Sequence, residues 1–322
     1  MRTLLLFLLL LMSPVISAEA GETAEAVYPP IGVDMPLKQV SRHVYYVEGT
    51  PGVATDNEGF ISNAAFVVTG AGVVVFDALG SPSLANALLA KIRSVTEEPV
   101  VRVIVSHYHA DHIYGLQVFE ELGAEILAPA GAETYLASQN AKERLEERRF
   151  TLDPWVNETT RLVHPDRYLS EGTNFRLGDV DFIITMVGAA HSDGDLTLYV
   201  EPDRVLLSGD VIFEGRVPFL GDANTRHWLN VLERMEREQL VALVPGHGVA
   251  NTDPNADIGL TRRYLAFLRE QMGRAVEEFI PFSEAYESTD WSGFKDLPAF
   301  AEANRRNAYQ VYLSMEAEAL GN

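Results

Sequence analysis

Five of the eight histidines in this chain fall in three short stretches, each following an apolar, strand-like run. The first stretch reads Ser106-His107-Tyr108-His109-Ala110-Asp111-His112. On an extended backbone, residues two apart point to one face, so His107 and His109 can serve one metal ion. Asp111 and His112 lie just beyond, where the chain turns into a helix with Asp111 at the N-cap position, and can face a second ion. A lone His-x-His is common on ordinary surfaces. Three imidazoles and a carboxylate crowded at one strand end are hard to explain as packing, because leaving them unpartnered near a core is costly.

Three further stretches end apolar runs in the same way. Gly188-Ala189-Ala190-His191-Ser192-Asp193-Gly194-Asp195 follows Val180 to Val187, Ser208-Gly209-Asp210 follows Val205 to Leu207, and Pro245-Gly246-His247-Gly248 follows Val241 to Val244. Strand ends are where a rigid core delivers side chains to a shared cleft, and the glycines flanking His247 let its backbone come close to a ligand. Taken singly, His191 reads as a solvated loop histidine, Asp210 as a turn or cap carboxylate, and His247 as part of a turn. Asp77, at the end of Val73 to Phe76, is either an acceptor for a metal-bound imidazole or a turn carboxylate. Ser192 and Asp195 either buttress His191 or cap a turn. Tyr108, Tyr114 and Phe213 either line a pocket or pack the core. His43, His164 and His227 belong to none of these groups.

In order and spacing the groups resemble the metallo-β-lactamase superfamily, whose hallmark is a His-x-His-x-Asp-His motif followed by a His, an Asp and a His at successive strand ends. The intervals here are 79, 19 and 37 residues, and the resemblance covers about Val40 to Val249. It implies an α/β (α+β) fold class, a four-layer αββα sandwich with the site at one edge between the sheets. It implies that His107, His109 and His191 bind one zinc, that Asp111, His112 and His247 bind a second, and that Asp210 bridges the two. Imidazole and carboxylate suit Zn²⁺, and iron or manganese suits the same donors. Two such ions ~3.5–4 Å apart can share a hydroxide available near neutral pH. The resemblance implies that this hydroxide attacks a small ester, thioester or amide-like carbonyl, with Asp111 as the catalytic residue that orients it and accepts its proton.

Within the superfamily, Asp210 departs from the two lactamase subclasses that place a cysteine there and from a third that lacks a bridging acid. It matches the thioesterase-like and glyoxalase II-like branches, although the C-terminal helices lack the basic cluster that glyoxalase II offers to glutathione. The Ser41-Arg42-His43-Val44-Tyr45-Tyr46 opening, the Ser62-Asn63-Ala64 step and the Gly215-Arg216-Val217-Pro218 stretch are similar to exported members found with sulfur-oxidation or quinoprotein systems. The expected function is therefore an exported dinuclear zinc hydrolase. A periplasmic β-lactamase is the alternative, and a metal- or partner-binding module without catalysis is a third reading.

These residues need a rigid frame. Runs rich in β-branched and aromatic residues predict strands from Val40 onward, at Ala64 to Val68, Val73 to Phe76, Val100 to Val105, Asn174 to Leu177, Val180 to Val187 and Val241 to Val244, with a hairpin at Leu196 to Val200 and Arg204 to Leu207. Ser81-Pro82 opens a helix carrying Leu84, Leu88, Ile92 and Val95, and a second helix stops at Gly123. Residues 130–170 read as a mostly helical insertion over one edge. Further helices are expected over Arg226 to Glu238, from Ile258 to Pro281, and from Pro298 to Ala319. Two sheets packed together with helices outside satisfy this pattern. The expected organisation is a signal peptide at 1–20, an extended lead-in at 21–37 and a single domain over 38–322 that includes the C-terminal helices (258–322). Arg2, the apolar run Leu4 to Met12 and Ala18-Glu19-Ala20 suit a cleavable leader too short to span a bilayer. A periplasmic or secreted protein without stable membrane insertion is expected.

Composition sets the outer limits. An apolar share of 47% is enough for a large core and excludes a disordered chain. The formal charge of −21, with only four lysines, argues against a nucleic-acid partner and leaves a small-molecule substrate as the expected one. With no cysteine, thiolate nucleophiles, disulfides and Cys-ligated metal are excluded.

Overall fold

Val73–Phe76 and Val205–Phe213 are buried along their whole lengths, which only a sheet covered on both faces allows. The computed structural model describes residues 28–321 except 222 and 236–238, and it shows what covers them. The first sheet holds β1 (Leu37–Gln39), β2 (Val44–Val47), β3 (Ala64–Val68), β4 (Val73–Phe76), β5 (Val100–Ile104), β6 (Glu125–Pro129) and β7 (Arg167–Leu169), in that order across the sheet. The second holds β8 (Thr173–Leu177), β9 (Val180–Gly188), β10 (Asp195–Val200), β11 (Val205–Phe213) and β12 (Ala242–His247), each beside the next. Strands β4 to β7 run parallel, as do β11 and β12; the other pairings are antiparallel.

Alternation along each strand then sorts side chains into three apolar layers. Val74 and Phe76 of β4 meet Leu196, Leu198, Val205 and Leu207 between the sheets. Val73 and Val75 face outward onto α1 (Pro82–Val95), α2 (Ala110–Ile113), α3 (Leu116–Glu121), α4 (Gly131–Leu136) and α5 (Gln139–Thr151). On the far side Leu206, Val211 and Leu243 pack under α6 (Thr225–Met235), α7 (Pro254–Glu277), α8 (Phe282–Ser288) and α9 (Phe300–Ala319). The result is the four-layer αββα sandwich. Among the described residues no helix is long and apolar enough to cross a membrane.

Several expectations shift in detail. The leader expected at 1–20 lies outside the described residues. The lead-in, where described, forms no regular element before Leu37, which opens β1, but is docked: Met35 is buried, Trp155 Nε1 donates to the Pro30 carbonyl, and the Tyr28 hydroxyl donates to Glu121. The helix expected after Asp111 breaks into α2 and α3, because Gly115 sits against the Ala78 carbonyl where a Cβ would lie 1.9 Å away. The N-cap is His109 rather than Asp111, which falls in the first turn. Strand β11 runs on past the expected hairpin to Phe213, carrying Asp210 inside the strand rather than at its end. The α7 helix starts at Pro254, four residues before Ile258, since proline suits the first helical turn.

Candidate metal centre

The four strand-end stretches converge. His107, His109, Asp111 and His112 follow β5, His191 follows β9, Asp210 lies in β11 and His247 closes β12. His107, His109, His191 and Asp210 form one group of potential ligand atoms, and Asp111, His112 and His247 form another, each within 4.8 Å. The Asp210 carboxylate faces both: Oδ2 lies 3.3 Å from His191 Nε2 and 3.3 Å from His247 Nε2, and Oδ1 lies 3.2 Å from His112 Nε2. Each sequence-selected ligand therefore sits at the one site.

Backbone geometry makes this approach possible. Gly246 stands against β11, and a Cβ there would lie 2.0 Å from Asp210 Oδ1. Gly209 has φ +50° and turns its bare Cα toward Ser106, where a Cβ would meet that side chain at 2.4 Å. The loop bearing His247 is tied down by Asn63, whose Nδ2 donates to the carbonyls of Pro245 and Gly248 at 2.9 and 2.8 Å. His247 Nδ1 donates to the Ile61 carbonyl at 2.6 Å, which leaves Nε2 free to face the carboxylates.

A single buried carboxylate orients histidines of both groups. Asp77 accepts from the Ser106 N–H at 2.7 Å through Oδ1, and from the Ser106 hydroxyl and His112 Nδ1, both at 2.8 Å, through Oδ2. Ser106 Oγ in turn lies 2.9 Å from His107 Nδ1. With the hydroxyl proton committed to Asp77, both imidazoles carry a proton on Nδ1 and turn Nε2 inward. Asp77 itself sits at φ +63°, a conformation uncommon outside glycine and held in place by these bonds. His191 is placed differently: Phe213 and Trp228 pack on its ring at centroid distances of 5.6 Å each, and Phe213 stacks on His247 at 5.2 Å. Beneath the His191 loop, Asp195 accepts from the N–H groups of Ala190 and Ser192 and from the Ser192 hydroxyl.

The donors fit divalent metal ions. His112 Nε2 and Asp210 Oδ1 are buried and only 3.2 Å apart, yet they make no aligned hydrogen bond. Buried polar atoms left so need a common partner. His107 Nε2, His109 Nδ1 and His191 Nε2 stand 2.9–3.0 Å apart along the chain of rings, close to the spacing of donors that share one ion at about 2.0–2.1 Å. Electrostatics agrees. Burial holds the His107 and His109 imidazoles below their ordinary pKa and His191 at about 3, so all three present lone pairs at neutral pH. Burial opposes a charge on His112 as well, but the carboxylates of Asp210, Asp111 and Asp77 outweigh it and hold that imidazole well above its ordinary pKa. Burial likewise works against ionised Asp111 and Asp210, and the neighbouring His112 and His247 overcome it, so both acids stay ionised. Cations entering here would displace protons from the carboxylate-facing histidines.

Two roles escaped sequence reasoning. Asn63 and Ser106 carry no metal-ligand chemistry: Asn63 acts through hydrogen bonds to residues distant in sequence, and Ser106 links the distant Asp77 to the adjacent His107. Arg216 is 3% exposed, and its Nε and Nη2 have no hydrogen-bond partner. Its only sequence signal was its place in the Gly215-Arg216-Val217-Pro218 stretch. Of the open alternatives, Asp77 is the imidazole acceptor, Phe213 packs on two ligand rings, and Tyr114 is core. His43 pairs with Asp203, His227 with the Val187 carbonyl and His164 with Tyr168, and none of them is among the clustered ligand atoms.

Comparison with known proteins agrees with this architecture. A family model described as the metallo-beta-lactamase superfamily matches residues 57–247. The chain is 22% identical over 243 residues to metallo-beta-lactamase IND-1 of Chryseobacterium indologenes, spanning 74% of this chain and 87% of that one. It is 31% identical over 175 residues to acyl-coenzyme A thioesterase MBLAC2 of Gallus gallus, spanning 51% of this chain and 61% of that one. Among solved structures, the sec-alkylsulfatase Pisa1 from Pseudomonas sp. aligns with a TM-score of 0.66 at 16% identity, over 87% of this chain and 50% of the other. That last likeness is one of fold.

Proposed function

Because the chain belongs to the metallo-β-lactamase superfamily, we propose that it is an exported hydrolase that uses two zinc ions to open a small ester, thioester or amide-like carbonyl. The observation that carries this reading is the pair of ligand clusters joined by the Asp210 carboxylate. His107, His109 and His191 would hold one ion, Asp111, His112 and His247 the other, and Asp210 both. Bound there, divalent cations lower the pKa of water toward neutrality and polarise a carbonyl oxygen. The chain's own residues do the rest. Asp77 and Ser106 fix the tautomers of His107 and His112. Phe213 and Trp228 keep water off the rings of His191 and His247. Asp111 is the one carboxylate of the cluster that reaches outward, its side chain 21% exposed against 6% for Asp210. Ionised at neutral pH, it can orient an attacking water, hold its proton and hand it to the leaving group.

The thioesterase relative supports an acyl substrate, and the leader-like residues 1–20 support export. Chelation is expected to abolish hydrolysis of an activated ester or thioester, and added zinc or cobalt to restore it. Hydrolysis indifferent to the chelator overturns the proposal, as does a fully zinc-loaded protein inert on a panel of esters, thioesters and lactams. Metal analysis of protein purified without added metal distinguishes zinc from iron or manganese. The similarity to a named β-lactamase along 74% of the chain favours a second reading, β-lactam hydrolysis. Nitrocefin turnover at typical enzyme rates, on the order of 1–10³ s⁻¹, would decide for it.

A further inference from the structure

Strand pairing alone does not hold His247 in place. Between β11 and β12 the register runs from Gly209 opposite Pro245 to Phe213 opposite His247, so β11 takes four steps where β12 takes two. The extra residues carry Asp210 into the cluster, and they interrupt the ladder where the ligands stand. Pro245 has no N–H to contribute. Gly246 and Gly248 flank the histidine and add no stiffness of their own. Side chains must therefore fix this turn.

Two clips do so, one from each sheet. Asn63, just ahead of β3, holds the Pro245 and Gly248 carbonyls through Nδ2 and the Gly246 carbonyl through its N–H. Glu214, which follows β11, bonds on both sides of Gly248. Its N–H donates to the His247 carbonyl at 3.0 Å, and its Oε2 accepts from the Val249 N–H at 2.9 Å. The carboxylate thus extends the interrupted ladder by one rung. Gly248 is shaped for it: φ is +102°, and a Cβ there would lie 2.6 Å from the Glu214 carbonyl oxygen and 2.7 Å from Oε2. Val249 is 46% exposed, so water can serve its N–H, and the carboxylate is not needed to satisfy a buried donor. What it adds is a fixed course for the turn. Phe213, the neighbour of Glu214, stacks on the His247 ring, so the same short segment holds both the backbone and the ring of that histidine.

We propose that Glu214 is a positioning residue whose side chain clips the turn after His247 and so holds Nε2 of that histidine toward Asp111 and Asp210, 3.4 and 3.3 Å away. The inference rests on the two-cation reading above and assigns a supporting residue to the second of its sites. A cation binds only the conformation in which its donors converge, so apparent affinity falls with the fraction of time the turn spends there. The group formed by His107, His109 and His191 does not depend on this turn.

The test separates bond from charge. Glu214→Gln keeps an oxygen for the Val249 N–H without the charge, and Glu214→Asp keeps the charge but falls one methylene short. Chelator competition measures the two cadmium equivalents, and cadmium NMR follows each site by its own resonance. In E214D one equivalent should weaken on the order of tenfold and its resonance should move, while the other stays within about twofold. In E214Q both should stay within about twofold of wild type. The second measurement needs no metal. In E214D the Val249 N–H should exchange with solvent about tenfold faster than in wild type or E214Q, while the Asn251 N–H, bonded to the Leu243 carbonyl, keeps its rate. If E214D does not fold, the wild type carries this measurement alone: its Val249 N–H should exchange at least about tenfold slower than an open-chain amide, and exchange at the open-chain rate overturns the proposal. So do two equivalents unchanged in E214D, two weakened alike, or an E214Q as weak as E214D. If wild type binds fewer than two cations, the two-cation reading fails, and the exchange rates alone decide the role of Glu214.

Discussion

Replacing Asp77 by asparagine would separate the orientation of the ligand histidines from the stability of the fold. In the native site one oxygen, Oδ2, receives both the His112 Nδ1 proton and the Ser106 hydroxyl proton, each over 2.8 Å. Asparagine can keep Oδ1 for the Ser106 N–H, but it places an NH₂ group where Oδ2 was. Two donors then face His112 Nδ1 and Ser106 Oγ. The bonds are recovered only if His112 gives up its Nδ1 proton and keeps the one on Nε2, and if Ser106 turns its hydroxyl proton toward His107 Nδ1, 2.9 Å away, which moves that histidine's proton to Nε2. Both nitrogens that should bind metal then carry hydrogen. Restoring the native tautomers costs about one hydrogen bond per ring, and such outer partners are worth about 10- to 100-fold in metal affinity each. Competition against a chromophoric chelator should show both zinc equivalents weakened by at least that much. Because the hydrogen bonds re-form in the metal-free protein, its urea-unfolding free energy should change by no more than about 1–2 kcal/mol. Zinc affinity within about twofold of wild type would refute the tautomer argument. A collapse in metal-free stability would refute the claim that the bonds re-form.

Gly246→Ala puts a Cβ 2.0 Å from Asp210 Oδ1, so the carboxylate must move by about 1 Å; misplacement of that size costs on the order of 100-fold in activity, and measured kcat/KM and zinc stoichiometry should both fall. Outside the ligand clusters, Asp203 binds Ser41, the His43 N–H at 2.9 Å and His43 Nδ1 at 2.8 Å. Burial pushes its pKa up, but these bonds outweigh it and leave the carboxyl below its ordinary value. A depressed folded pKa contributes stability above the unfolded pKa of about 4, and this is lost as pH falls through the folded value. Asp203→Ala should therefore cost about 1–3 kcal/mol at pH 7 and visibly less at pH 3, by urea unfolding; a gap that stays constant between the two would show that the carboxylate charge is irrelevant.

The frame was legible because its layers impose simple periodicities. Val73 to Phe76 and Val205 to Leu207 read as strands without a polar face, and the structure places each between two apolar layers. The amphipathic helix after Ser81 is found with the Ser81 hydroxyl capping Leu84 N. Boundaries failed where a tertiary contact overrides local preference. Nothing near Gly115 in sequence announces the Ala78 carbonyl that breaks the helix there. Likewise β11 runs on through Asp210 to Phe213 because β12 lies beside it, pairing Phe213 with His247.

The seven ligand positions were legible for a different reason: histidines and aspartates at strand ends are chemically conspicuous. What orients them was not. Asn63 lies 182 residues from Pro245, and the Arg216 loop is gripped by Asn307, 89 residues beyond Pro218. Side chains of this kind look ordinary in sequence, because their value depends on which backbone groups the fold leaves unpaired. The ligand groups also straddle both sheets. His107, His109, Asp111 and His112 follow a strand of the first, and His191, Asp210 and His247 belong to the second. Asp210 can face both groups only while Val74, Phe76 and Ile104 stay packed against Leu196, Leu198 and Leu207 between the sheets. No residue of that apolar layer is among the ligands, yet the layer sets the distance across which one carboxylate must reach two groups of histidines.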